Sequence, residues 1–112
     1  MLSKSGFLCI CETIIVGTSH VFGFAELRKA LESGTELRLV REYENQYDGW
    51  AVRVEVPDSL GKGRKLGYLP RPLNQIPARL MDGGKVLCIR VSGFCYEDNA
   101  YERVKVKLYL MD

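Results

Sequence analysis

LVREYENQYDGWAVRV, running from Leu39 to Val54, places a polar knot between two strand-like runs. Glu36-Leu-Arg-Leu-Val-Arg41 alternates as a strand on one side. On the other, Ala51 to Val56 alternates cleanly, with Val52, Val54 and Val56 on one face and Arg53 and Glu55 on the opposite one. Asn45, Tyr47 and Asp48 lie between. Asn and Asp side chains bond nearby backbone and so make turns, but Tyr is less expected there. The knot is therefore either a plain connection or a surface that grips something.

Outward from this stretch the chain is mostly strands. Phe7–Val16 is expected as a first strand, followed by a loop from Gly17 to Gly23. Phe24–Glu32 has helical spacing, with Leu27, Ala30 and Leu31 on one face and Gly34 as its stop. Lys65–Leu69 is a short strand after a glycine-rich turn. A short helix carrying Leu73, Ile76 and Leu80 ends at Gly83-Gly84. Val86–Phe94 and Arg103–Leu110 close the chain as strands, the latter with Val104, Val106, Leu108 and Leu110 inward and Lys105 and Lys107 outward. The pattern predicts a mostly β domain with two short helices: a small, curled, six-stranded antiparallel barrel.

With 112 residues, 46% hydrophobic and 27% charged, the chain reads as one domain with a core of its own. A net charge of +2 excludes a uniformly basic coat but not a local basic patch. The apolar run Phe7–Val16 is about half the ~20 residues a membrane span needs, and no cleavage site follows it. The expectation is a cytoplasmic protein without membrane contact, with reduced thiols. Cys9 and Cys11 lie within a strand, and Cys88 and Cys95 near the other end. This fits buried thiols better than the knuckle spacing of structural zinc.

Enzyme signatures are scarce. A single histidine, His20, excludes a two-histidine metal site, and Gly61-Lys-Gly-Arg-Lys65 lacks the frame of a phosphate-binding loop. Ser19 and His20 are neighbours in sequence, which does not make a catalytic pair, because such partners converge in space with an orienting acid. Magnesium at Glu42, Glu44 and Asp48 is the weaker alternative, since proximity in sequence does not supply converging oxygens. No catalytic residue, metal or cofactor is expected.

Charge is unevenly placed. No acidic residue lies between Asp58 and Asp82, while Lys62, Arg64, Lys65, Arg71 and Arg79 do. Tyr68 and Arg71 flank Leu69-Pro70 inside this strip. A cation that reaches phosphate beside a ring that stacks on a base is a pairing used for single-stranded nucleic acid. The alternative is a solvated basic face around a core tyrosine.

Leu39–Val54 resembles the signature of the HIRAN domain: a leucine strand, Arg-Glu, Asn-x-Tyr-Asp, two residues, then Ala-Val-x-Val. Lys65-Leu-Gly-Tyr-Leu-Pro-Arg71, a short helix and Leu80-Met-Asp-Gly-Gly84 resemble its second block, and Val16-Gly17 the end of its opening strand. The likeness runs from about residue 14 to 110. It implies a modified OB-like barrel, a fold class that often binds single strands, and recognition of a free 3′-hydroxyl end of single-stranded DNA in repair or replication-fork processing. A stand-alone domain of this kind would have helicase or nuclease proteins as further partners.

By the same resemblance, Tyr47 is the ring that stacks on the terminal base, Asp48 the carboxylate that accepts the hydroxyl and Asn45 their polar companion. Tyr68 stands where a DNA-end-binding relative has His, Arg71 is a basic position that contacts phosphate, and Tyr101 is a late aromatic near the pocket; Lys65 joins the candidate residues from the basic strip instead. Ser19-His20 occupies the place of an Arg-Tyr pair in the DNA-binding form. That exchange removes a phosphate contact and half of a base sandwich, a loss of about 1–3 kcal/mol for the stack. A second class of function keeps the fold and loses DNA: a protein-interaction module. A metal-dependent phosphodiesterase is the third.

Overall fold

A computed structural model describes residues 6–96 and 102–111. Six strands are present: β1 (Phe7–Ile14), β2 (Glu36–Arg41), β3 (Val52–Glu55), β4 (Lys65–Tyr68), β5 (Leu87–Tyr96) and β6 (Glu102–Met111). Two helices join them, α1 (Phe24–Ala30) and α2 (Arg71–Asp82), along with short 3-10 turns at Thr18–His20 and Asp58–Leu60. All strand pairs are antiparallel, in the order β1-β6-β5-β2-β3-β4.

The expected alternation places the core. Val52 and Val54 from β3, and Val104, Val106 and Leu108 from β6, are fully buried beside Ile15, Leu66 and Ile89. Leu110, expected inward, is only partly buried near the end of β6. β2 divides its pairing: Glu36 and Leu37 face β5, while Arg38–Arg41 face β3. A strand that changes partner partway along folds the sheet over its own apolar face.

The sheet is not the closed barrel expected from the sequence. Its two edges, β1 and β4, meet at one bridge, where Val16 and Tyr68 exchange backbone hydrogen bonds of 2.9 Å in each direction. Beyond it the chain turns away at Gly17, and β4 is only four residues long, so no ladder can continue. Gly67 makes even this contact possible. A Cβ there would lie 2.3 Å from the Val16 carbonyl oxygen and 2.6 Å from Ile15 Cγ2.

The helices differ from the expectation in which residues they bury. α1 stops at Ala30, which is exposed. Leu31 leaves the helix in extended conformation and is buried, as is Leu27. In α2 the buried positions are Asn74, Pro77 and Ala78, whereas Ile76, one of the three apolar residues that mark this helix in the sequence, is 70% exposed. The buried Asn74 finds its partner in the β2–β3 loop, where its amide donates to Asp48 Oδ2 at 2.7 Å.

Candidate nucleic-acid interface

The β2–β3 loop is built by its own side chains. Asn45 Oδ1 accepts from the backbone N–H groups of Tyr47 and Asp48, both at 2.9 Å. Asp48 Oδ1 then accepts from the Trp50 N–H at 2.9 Å. These are the local Asx bonds that make Asn and Asp turn formers. They also leave the Tyr47 ring projecting from the tip, 85% exposed.

Asp48 also fastens this loop to α2. Its Oδ2 accepts from Asn74 Nδ2 at 2.7 Å and lies 3.6 Å from Arg71 Nε. The Asp48 side chain is 16% exposed and that of Arg71 71%, so a mostly covered carboxylate is paired with a cation that stands largely in solvent. A carboxylate offers about four lone-pair directions. Two oxygens with one hydrogen bond each still have room for a further donor.

Glu42 is the second hub, and the sequence weighed it only as a metal ligand. It accepts from the Tyr68 hydroxyl at 3.0 Å on each oxygen and from Asn45 Nδ2 at 3.1 Å. Arg53 approaches the same carboxylate at 3.7 Å and holds Glu55 at 2.7 Å, which explains why Glu55 is buried on the face expected to be outward. Burial and then the Glu42 hydrogen bond push the Tyr68 phenol above its ordinary value. Lys65 Nζ sits 5.1 Å from the centre of the Tyr68 ring, a cation–π distance.

Asn45, Tyr47, Asp48, Tyr68, Arg71 and Lys65 are thus brought to one face by the β2–β3 loop, β4 and the start of α2. The Val16–Tyr68 bridge sets the Gly17–Gly23 loop beside them. Ser19 and His20 part company there. His20 lines an open depression with Phe22, Arg64 and Lys65, whereas Ser19 lines a separate cavity with Phe24, Arg28 and Glu102. Tyr101 lies outside the described residues.

The basic strip is also divided. Arg79 stacks on the Trp50 ring at 4.7 Å, and Arg41 reaches the same ring from its other neighbours while its guanidinium grips Asp82. Arg64, Lys65 and Arg71 remain on the side of the candidate site. Among the described residues no three acidic, histidine or cysteine side chains gather closely enough to hold a metal ion, so Glu42, Glu44 and Asp48 do not form the magnesium site considered above. The four cysteines are free thiols: Cys9 and Cys11 straddle a bulge in β1, and buried Cys88 donates to Glu36 at 2.9 Å. Among the described residues no helix is long and apolar enough to cross a membrane.

Comparison with known proteins places this arrangement. No curated protein matches the chain. Among solved structures, a protein from Lactobacillus plantarum is 27% identical, with a TM-score of 0.77 over 95% of this chain and 96% of that one. The HIRAN domain of human HLTF is similar in fold, with a TM-score of 0.65 at 18% identity over 98% of this chain and 84% of that one. The family model for the HIRAN domain matches residues 10–111. Nearly the whole of the described fold, candidate site included, falls within that match, and the chain belongs to the HIRAN domain family, a family of nucleic-acid-binding modules.

Proposed function

We propose that this domain binds single-stranded DNA at a free 3′-hydroxyl end and performs no catalysis of its own. The observation that carries the proposal is the pairing at the loop tip. An exposed ring, Tyr47, stands next to the mostly covered carboxylate of Asp48, and the Arg71 cation faces that carboxylate at 3.6 Å. Tyr47 stacks on the terminal base, which is sequence-tolerant because every base has a π-face. Asp48 accepts the hydrogen of the hydroxyl, with Asn45 shaping the loop beneath it. Arg71 and Lys65 take the nearest phosphates, and the Tyr68 ring, held by Glu42, forms a wall of the site. His20 supplies a further ring on the adjoining loop. Such a module serves DNA repair or replication-fork processing in the cytoplasm, alongside helicase or nuclease partners.

The same carboxylate disfavours a 3′-phosphate, because like charges in a partly dry pocket repel strongly. Titration of matched oligonucleotides ending in 3′-hydroxyl or 3′-phosphate is therefore the direct test. The hydroxyl form is expected to bind more tightly, with affinity that falls steeply as salt rises. Equal binding removes the role given to Asp48, and binding of neither removes the DNA reading.

A second reading, docking to a helicase or nuclease protein, is favoured by one observation. Ser19-His20 stands where the DNA-binding form of the family carries Arg-Tyr, and Ser19 opens into the cavity beside α1 rather than onto the DNA face. Pull-down with candidate partners, repeated with Tyr47→Ala, separates the two. DNA binding loses its stacking ring, whereas docking through the α1 side is unaffected.

A further inference from the structure

Phe22 is 95% exposed, the most exposed of the large hydrophobic side chains among the described residues. It is not left out by accident of a loose loop. Gly23, at φ 73°, provides the left-handed turn that ends the loop and starts α1. From the β3–β4 side, Arg64 Nη2 donates to the Phe22 carbonyl at 2.8 Å. The backbone under the ring is pinned while the ring itself stands in solvent, held in place and open to stacking.

What surrounds the ring points to the group that stacks on it. Phe22 lies along a shallow, open surface depression with His20, Val21, Arg64 and Lys65, and no carboxylate is among these residues. Two cations beside an exposed ring match the alternation of phosphate and base along a single strand. The neighbouring site is mixed: its carboxylates Glu42 and Asp48 each have a cation close by, Arg53 at 3.7 Å and Arg71 at 3.6 Å. Lys65 joins the two, lining the depression while standing over the Tyr68 ring.

We infer that Phe22 is a second base-stacking position, with Arg64 and Lys65 binding the phosphates between it and the Tyr47–Asp48 site. This rests on the reading of Asp48 as the end-binding carboxylate. The positions of the cations then give the strand its direction. The polyanionic backbone runs over Arg64 and Lys65 toward Arg71, and the uncharged hydroxyl is the group that meets the Asp48 carboxylate. His20 lies in the same depression as Phe22, so the stacking surface lost with the Arg-Tyr pair is restored by a ring further along the strand.

The test is a set of anisotropy titrations with oligothymidylates ending in 3′-hydroxyl, from about two to about eight nucleotides, spanning the lower range of single-strand footprints. The unaltered chain, Phe22→Ala and Phe22→Tyr are compared, with thermal midpoints checked for each. Affinity of the unaltered chain is expected to rise with length to about four nucleotides. Phe22→Ala is expected to lose about fivefold or more on the longer strands, as one stack does, and nothing on the shortest. Phe22→Tyr retains the ring and the length dependence.

If Phe22→Ala binds every length as the unaltered chain does, the second position is overturned while the end-binding site stands. An equal loss at every length overturns it too, since Phe22 then acts on the end pocket. If the unaltered chain binds no strand of any length, the end-binding proposal and this inference fall together.

Discussion

The two loops that meet at the candidate site are held in opposite ways. Glu42 to Trp50 carries its own scaffold: Asn45 and Asp48 bond the backbone of the loop and then reach out to Glu42 and Asn74. Gly17 to Gly23 has no such side chains. It is held by backbone turns, by the Val16–Tyr68 bridge and by Arg64 reaching across from the β3–β4 connection. The first loop encodes its shape where it sits, and the second borrows its shape from distant elements. A change inside the first should therefore act locally, while the second is most sensitive to changes outside it.

The largest effect is expected from Asp48→Ala. It deprives the Trp50 N–H of its acceptor and leaves the Asn74 amide buried without one. An orphaned buried polar group costs about 1–3 kcal/mol, so a stability loss of about 2–3 kcal/mol is expected from a shifted urea midpoint at constant slope. A change below about 0.5 kcal/mol, the size of an ordinary surface substitution, would mean that backbone alone holds this loop. The contrast with its neighbour would then vanish.

Gly67→Ala tests the borrowed loop from outside. The new methyl would meet the Val16 carbonyl at 2.3 Å, a backbone atom that cannot swing aside. Overpacking of this kind costs about 1–3 kcal/mol. Opening of the Val16–Tyr68 bridge is the expected route, read as faster hydrogen exchange at both amides with the Asn45–Asp48 amides unchanged. If exchange quickens equally in both loops, they are one cooperative unit.

The same contrast explains what could be read in advance. The alternations of Ala51–Val56 and Arg103–Leu110 were legible because a strand with one buried face repeats every two residues. Asn45, Tyr47 and Asp48 were legible as a knot because Asn and Asp act on their own backbone. Asn74 was not, since a polar residue inside an amphipathic helix is ordinarily assigned to the wet face, and the residues that marked this helix were Leu73, Ile76 and Leu80. Its break in the apolar pattern was the signal. Phe22 and Arg64 are forty-two residues apart, and nothing local in either predicts the contact. Barrel closure was overestimated for a related reason: strand count is visible in periodicity, but whether edge strands meet depends on lengths and turns that periodicity does not carry.

Tyr68→Phe gives the smallest effect and bears on the join between the two loops. Tyr68 contributes backbone to the bridge with Val16 and its hydroxyl to Glu42, beneath the Asn45 loop. Removing only the oxygen should leave the bridge intact and cost about 1 kcal/mol at neutral pH, the usual net value of one hydrogen bond. The pH dependence is more telling. Burial and the Glu42 carboxylate raise the folded phenol above its ordinary value of 10.0. As pH climbs past that ordinary value the unfolded chain gives up its proton first, so this contribution is complete below it and is lost as pH rises through the raised folded value. Chemical denaturation from neutral to strongly alkaline pH should therefore show a steeper decline for the unaltered chain than for Tyr68→Phe, the two curves converging at high pH. Parallel curves would mean that the hydroxyl is not coupled to Glu42. The two loops would then be joined by the backbone bridge alone.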